Sequence, residues 1–106
     1  MESTEWVDLW REGGGHVSCR RTGNVVELEW DFEQATGNVW AVPKALPAGL
    51  RPDRSTYFSG VATDASGNPV NKVSYCWVGW DGRTQFALPG ASAGNRNCGH
   101  ATWAVR

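Results

Sequence analysis

The chain is expected to be an all-β protein, a single antiparallel β-barrel or sandwich, and three observations lead there. In the segment 25–32, Val26, Leu28, Trp30 and Phe32 alternate with Glu27, Glu29 and Asp31. Side chains of a strand point to opposite faces in turn, so this is a strand with one dry and one wet side. No helical period of any length occurs. Short alternating segments are instead separated by Gly, Asn, Asp and Pro turn signals, which is the pattern of a sandwich or barrel. Thirteen glycines in 106 residues suit many tight turns between short strands.

The elements follow in order. Residues 1–5 are polar and read as a lead-in that frays, leaving 6–106 as the domain. Trp6-Val7-Asp8-Leu9-Trp10 reads as a short strand or an anchoring segment, and Glu12-Gly13-Gly14-Gly15 as a flexible loop. His16 to Arg21 is a strand that pairs with 25–32 across Thr22-Gly23-Asn24, residues that tolerate a tight hairpin turn. Gln34 to Asn38 is a turn, and Val39 to Val42 a short strand stopped by Pro43. From Pro43 to Pro52, three prolines and a glycine exclude a regular helix or a central strand, so this is an extended crossover. Ser55 to Thr63 is predicted as one long strand, Asp64 to Pro69 as a turn, and Val70 to Trp80 as the next strand. Asp81-Gly82 is predicted to turn that strand into Arg83–Leu88. Pro89 to Cys98 is a loop, and His100 to Val105 a last strand with Trp103 and Val105 on one face.

At this length there is one domain, which buries about two-thirds of the surface its unfolded chain exposes. Association with further copies would relieve that shortage. The net charge of −1 argues against a nucleic-acid partner, which requires a clustered basic face. Arg20-Arg21 and Arg51/Arg54 are too few and too scattered for one. No apolar run is long enough to cross a bilayer and the N-terminus has no apolar secretory core, so a soluble protein made in the cytoplasm, without membrane insertion, is expected. Cys19, Cys76 and Cys98 make an odd count without a CxxC pair. Free, mostly buried thiols are the simpler expectation, and a Cys76–Cys98 disulfide is open to a protein that matures outside the cell.

Two stretches carry a family resemblance. Arg20-Arg21-Thr22-Gly23-Asn24-Val25-Val26-Glu27-Leu28-Glu29-Trp30, followed by Leu46-Pro47-Ala48-Gly49-Leu50-Arg51-Pro52, resembles the C-terminal head domains of phage and prophage tail receptor-binding proteins, found in tail fibres and baseplates. In those heads a hairpin of the form R-x-x-G-N-x-V leads to an L-P-x-G-[FYL]-R-P segment, then to further strands and an Asp-Gly turn. The resemblance runs from Trp6 to Val105, and the order of the pieces carries it. It implies a homotrimer on a virion's tail tip, joined to upstream tail or baseplate proteins, that holds host-surface saccharide at or near subunit clefts. Ligand contacts differ widely between such heads, so the candidate site is read from the residues themselves.

Four arrangements could carry chemistry. Glu27, Glu29, Asp31 and Glu33 could supply paired carboxylates for glycoside hydrolysis, but acids along a wet strand face lack anything to raise a pKa, so a solvated edge is the better reading. His16, Cys19, Cys98 and His100 could offer two Cys and two His to zinc. Residues three apart, however, point to opposite sides of a regular strand, so His16 and Cys19 would need a bulge to converge. No serine or cysteine lies in a nucleophile elbow, and Gly13-Gly14-Gly15 matches no phosphate loop. No cofactor and no enzymatic activity are expected.

The aromatic residues are the fourth. Seven tryptophans exceed what one small core usually demands. Trp77, Trp80 and Trp103 are expected to lie near one another, with Asp81, Arg83, Arg96, Asn97 and His100 at neighbouring loops or strand ends. Sugar rings stack apolar C–H faces on indoles, while their hydroxyls bond to Asp, Asn, Arg and His. The predicted ligand-binding residues are therefore Trp80, Asp81, Arg83, Arg96, Asn97 and His100. Trp80, beside the turn, is the tryptophan best placed for exposure. Trp30, Trp77 and Trp103 each read more readily as core or interface residues than as ligand contacts, and Trp6 and Trp10 as packed against the body or a neighbouring subunit. The expected role is non-enzymatic adhesion to a bacterial cell-wall or surface polysaccharide. The rivals are a monomeric carbohydrate-binding module of a secreted enzyme, a purely structural virion trimerisation domain and, disfavoured by the solvated acids, a glycan-cleaving tailspike.

Overall fold

The computed structural model describes residues 5–106, and these form two antiparallel sheets that face each other across a shared core. The predicted lead-in, Glu5 apart, lies outside the described residues. In chain order the strands are β1 (Val7–Glu12), β2 (Gly15–Thr22), β3 (Val25–Glu33), β4 (Trp40–Ala41), β5 (Thr56–Ser59), β6 (Val61–Thr63), β7 (Tyr75–Val78), β8 (Thr84–Ala87) and β9 (Arg96–Ala104). One sheet has the order β1-β2-β3-β9-β6 and the other β4-β8-β7-β5. The all-β expectation holds. Among the described residues no helix is long and apolar enough to cross a membrane.

Strand β3 behaves as its alternation requires: Val26, Leu28, Trp30 and Phe32 are buried, and the acids between them face outward. Its neighbours supply Val17, Cys19 and Ala101 from the same sheet, and Cys76, Val78 and Phe86 close the core from the other. Aromatic rings bridge the layers, with Trp30 and Phe32 each about 5 Å from Phe86 (5.2 and 5.0 Å between centroids). Phe58 meets Trp103 in the same way at 5.7 Å. In β1 the pairing shifts between Asp8 and Trp10. This bulge lets the consecutive residues Leu9 and Trp10 both reach the core.

The indole of Trp30 is the centre of this packing. Its Nε1 donates to Asn97 Oδ1 at 2.8 Å. Its six-membered ring lies over Gly60 and Gly99, where an added Cβ would overlap the ring. Ser74 also donates to Asn97 Oδ1 (2.6 Å), and the Asn97 amide donates to Gln34 Oε1 (2.9 Å). Gln34 in turn donates to the Phe86 carbonyl (3.1 Å). Buried polar groups are tolerated when paired in this way.

Several expectations are corrected. Residues 12–15 are a two-residue hairpin turn rather than a flexible loop: Glu12 pairs with Gly15, and Gly13 and Gly14 both take positive φ (54° and 81°), as such a turn demands. The strand predicted over Ser55–Thr63 is two strands that break at Gly60 and enter different sheets. At that break the Cys98 carbonyl passes where a side chain would be. Of the strand predicted over Val70–Trp80, only Tyr75–Val78 is paired. Asp81-Gly82 belongs to a three-residue loop, closed by Gly79 N–H to the Arg83 carbonyl (2.8 Å) and Gly82 N–H to the Gly79 carbonyl (2.9 Å). The last strand begins at Arg96, inside the predicted loop.

The crossover after β4 is extended as expected, apart from one 3-10 turn at Ala48–Leu50. It buries Leu46 and Leu50. Arg51 Nε folds back onto the Leu46 carbonyl (2.9 Å), and Trp103 Nε1 donates to the Leu50 carbonyl (2.9 Å). Both described chain ends lie near the β2–β3 turn: Val105 N–H bonds the Asn24 carbonyl (2.8 Å), and the Trp6 ring sits under Arg20 (4.6 Å). Phe32, Glu33 and the loop that follows occupy the opposite pole.

Candidate functional site

The outer face of the four-stranded sheet is the best-formed candidate. Cys76 and Val78 turn inward from β7 and Phe86 inward from β8, so strand alternation sends Tyr75, Trp77, Gln85 and Ala87 outward. Register then aligns them: Tyr57 of β5 lies opposite Trp77, and Trp77 opposite Gln85. Tyr75 lies opposite Ala87 in the adjacent row. These side chains and Val39 line a cleft of about 470 Å³. Tyr57 is 71% exposed and Tyr75 42%, far more than aromatic rings recruited to a core.

A charged pair lies beside Trp77, one of the residues that line the cleft. The Arg83 guanidinium lies 5.7 Å from the Trp77 ring centroid, and its Nε donates to Asp81 Oδ2 at 2.8 Å. The backbone N–H of Arg83 also reaches the Asp81 carboxylate (3.2 Å). That bond, with the nearby guanidinium, holds the Asp81 carboxyl below its ordinary range despite some desolvation. Gly79 makes the arrangement possible, because a side chain there would collide with both the Trp77 ring and the Asp81 carboxylate. Trp80 projects from the same turn, 67% exposed, with its backbone N–H on Ser55 Oγ (3.2 Å).

Of the six residues predicted from sequence, the structure thus gathers Trp80, Asp81 and Arg83 at one turn beside Trp77. The other three belong to β9, in the opposite sheet. Arg96 points to Asp31 (2.9 Å) on the outer side of the five-stranded sheet. His100 sits 3.3 Å from Glu27 on that same side. Asn97 is fully buried, with its amide engaged by Trp30, Ser74 and Gln34, and is a core residue rather than a surface one. Trp103 faces Phe58 inside the molecule and does not share a patch with Trp77 and Trp80. Tyr57, Tyr75, Gln85 and Val39 were not anticipated. Alternation within 56–59 and 75–78 was a usable sign for the tyrosines, but only strand pairing could put Tyr57 beside Trp77.

Three of the four acids on the strand face are engaged by neighbours. Glu27 is paired with Arg20 and His100, Glu29 with His16 (3.2 Å) and Asp31 with Arg96. The Glu27 carboxyl is held below its usual range, first by its bond from Arg20, the opposite of what a general acid needs. His16 turns to Glu29 while Cys19 is buried in the core. Among the described residues no group of three or more His, Cys, Asp or Glu gathers around a common point. All three thiols are free. Cys76 points into the core and Cys98 outward to Asp31 (3.2 Å), which removes the Cys76–Cys98 disulfide.

No family model matches this chain, and none of the curated proteins compared with it gives a significant match.

Proposed function

We propose that the outer face of the four-stranded sheet binds carbohydrate without catalysis, and that the chain is the host-receptor-binding head of a phage tail. The observation that carries this reading is the row Tyr57–Trp77–Gln85, laid across three strands and open to solvent. Aromatic faces offer the apolar C–H side of a sugar ring a stacking platform, and the Gln85 amide both donates to and accepts from hydroxyls. The Asp81–Arg83 pair beside Trp77 adds a planar donor set and an acceptor. The tail context rests on the resemblance of the Gly23-Asn24 hairpin and the Leu46–Pro52 segment to tail heads. A shallow open cleft binds one sugar weakly, and several linked copies would raise avidity by about 10²–10⁴ if their geometry allows simultaneous engagement.

Tyr57→Ala tests the reading, because Tyr57 is mostly exposed. Binding of bacterial cell-wall polysaccharide, followed by tryptophan fluorescence, should weaken about tenfold, equivalent to ~1.4 kcal/mol. The melting temperature should stay within a degree or two of the parent. Unchanged affinity in the variant, or no response to any envelope preparation, removes this face as the site.

A second reading treats the same face as a subunit contact. Val39 at 63% exposure, with Tyr57 and Tyr75, gives it apolar area that a copy of the chain could cover. Mass in solution at micromolar concentration separates the readings. A trimer in which Tyr57→Ala dissociates the copies favours the contact. A monomer that binds glycan favours a carbohydrate-binding module.

A further inference from the structure

The cleft on the outer face of the four-stranded sheet holds a single side-chain amide among its rings. Gln85 of β8 stands opposite Trp77, and Ala87, two residues further along the same strand, stands opposite Tyr75. Continuing the β4–β8 pairing by one residue brings Val39 beside Ala87 from the other flank. All five of these residues line the cleft. The amides of Gln34 and Asn97 are fully engaged inside the molecule. That of Gln85 has no hydrogen-bond partner among the described residues. A half-buried donor and acceptor are thus left open at a wall that is otherwise mostly apolar.

Charge narrows what this wall accepts. Among the described residues no charged side chain lines the cleft. Arg83, the cation beside Trp77, already donates to Asp81 at 2.8 Å. A uronic acid would have to draw Arg83 away from that carboxylate. A free amino sugar would bring an ammonium group to a wall that holds no carboxylate, and desolvating an unpaired charge is costly.

We infer that this cleft selects a 2-acetamido sugar, an N-acetylated hexosamine unit, over the plain hexose and over the free amino sugar. The inference deepens the carbohydrate reading of the same face and rests on it. With the sugar ring on Trp77 and Tyr57, the Gln85 amide nitrogen donates to the acetamido carbonyl and its oxygen accepts from a hydroxyl of the same ring. The acetyl methyl lies on Ala87 and Val39, where a side chain larger than alanine would occupy its place. A hexose hydroxyl at that position can bond to Gln85 but leaves the Ala87–Val39 surface wet. N-acetylation both removes the amine's charge and supplies the methyl.

The probes are the methyl β-glycosides of N-acetylglucosamine, glucose and glucosamine, titrated into the full chain while the Trp77 indole N–H is followed by NMR. The acetamido glycoside should saturate on the order of millimolar, roughly fivefold tighter than the glucoside, with the charged glucosaminide weakest. Ala87→Val fills the place of the methyl and should abolish the preference while leaving glucoside affinity within about twofold of the parent. Gln85→Ala should weaken the acetamido glycoside roughly fivefold. Equal affinity for the acetamido and plain glycosides, or a preference that survives Ala87→Val, overturns the selection and leaves the carbohydrate reading standing. No shift from any of the three, with cell-wall polysaccharide still bound, overturns this inference alone. No response to the glycosides or to the polysaccharide overturns both.

Discussion

At the scale of single residues, the decisive contact is between Trp30 and two positions that carry no side chain. Gly60 and Gly99 leave room for the indole ring, and Asn97 receives its N–H. Gly99→Ala would drive a methyl into the ring inside a filled core, where overpacking costs about 1–3 kcal/mol. Thermal or urea unfolding should show a loss in that range, and an unchanged midpoint would mean that the ring can move aside. Asn97 also shows why residue type misleads when position is unknown. An asparagine between an arginine and a cysteine near a loop reads as a sugar contact, yet here its amide completes a buried network. Trp80, Asp81 and Arg83 were legible because their proximity is local: three residues of one turn stay together whatever the rest of the chain does.

Elements were legible where one strand carried its own pattern and obscure where pairing decided. In β3, dry and wet residues alternate over its full length, so its faces could be assigned from sequence. Strands β5 and β6 alternate as one continuous ribbon, and nothing in that alternation marks the change of sheet at Gly60. The first part of β9, Arg96-Asn97-Cys98-Gly99, looks like loop because its small and polar residues are those that fit over Trp30 and pair with β3. The contact of β1 with β2 yields a prediction about acid. The Asp8 carboxyl accepts bonds from Arg11 (2.8 Å) and Ser18 (2.6 Å), and these, Arg11 first, lower its pKa to about 2. The unfolded chain, with a carboxyl near its free value of about 3.9, binds this proton more readily. The contribution to stability is therefore present above about pH 4 and is lost as pH falls toward the folded value. Asp8→Asn should lower the melting temperature at pH 7 and make little difference at pH 2. An equal deficit at both values would show that packing, rather than charge, is lost.

For the whole molecule, the two sheets share one core, so its buried thiols report on global opening. Burial pushes the Cys19 thiol up to about 11 and the Cys76 thiol up to about 12. Cys98 is also raised, by burial first and then by its bond to Asp31. Since the thiolate is the reactive form, a disulfide reagent at pH 8 should label the folded protein slowly. In denaturant all three should react at once. Fast labelling of two or more thiols without denaturant would mean that the sheets separate readily.

The β2–β3 turn gathers both described chain ends, and β3 runs from there to the opposite pole at Phe32 and Glu33, roughly 25 Å away at the usual strand rise. The molecule thus has one pole where both described ends meet and another far from them. A chip linkage, dye or fusion partner attached beyond Arg106 would leave the opposite pole unobstructed and the Tyr57 face on an open flank. Immobilised material should accordingly behave like protein free in solution.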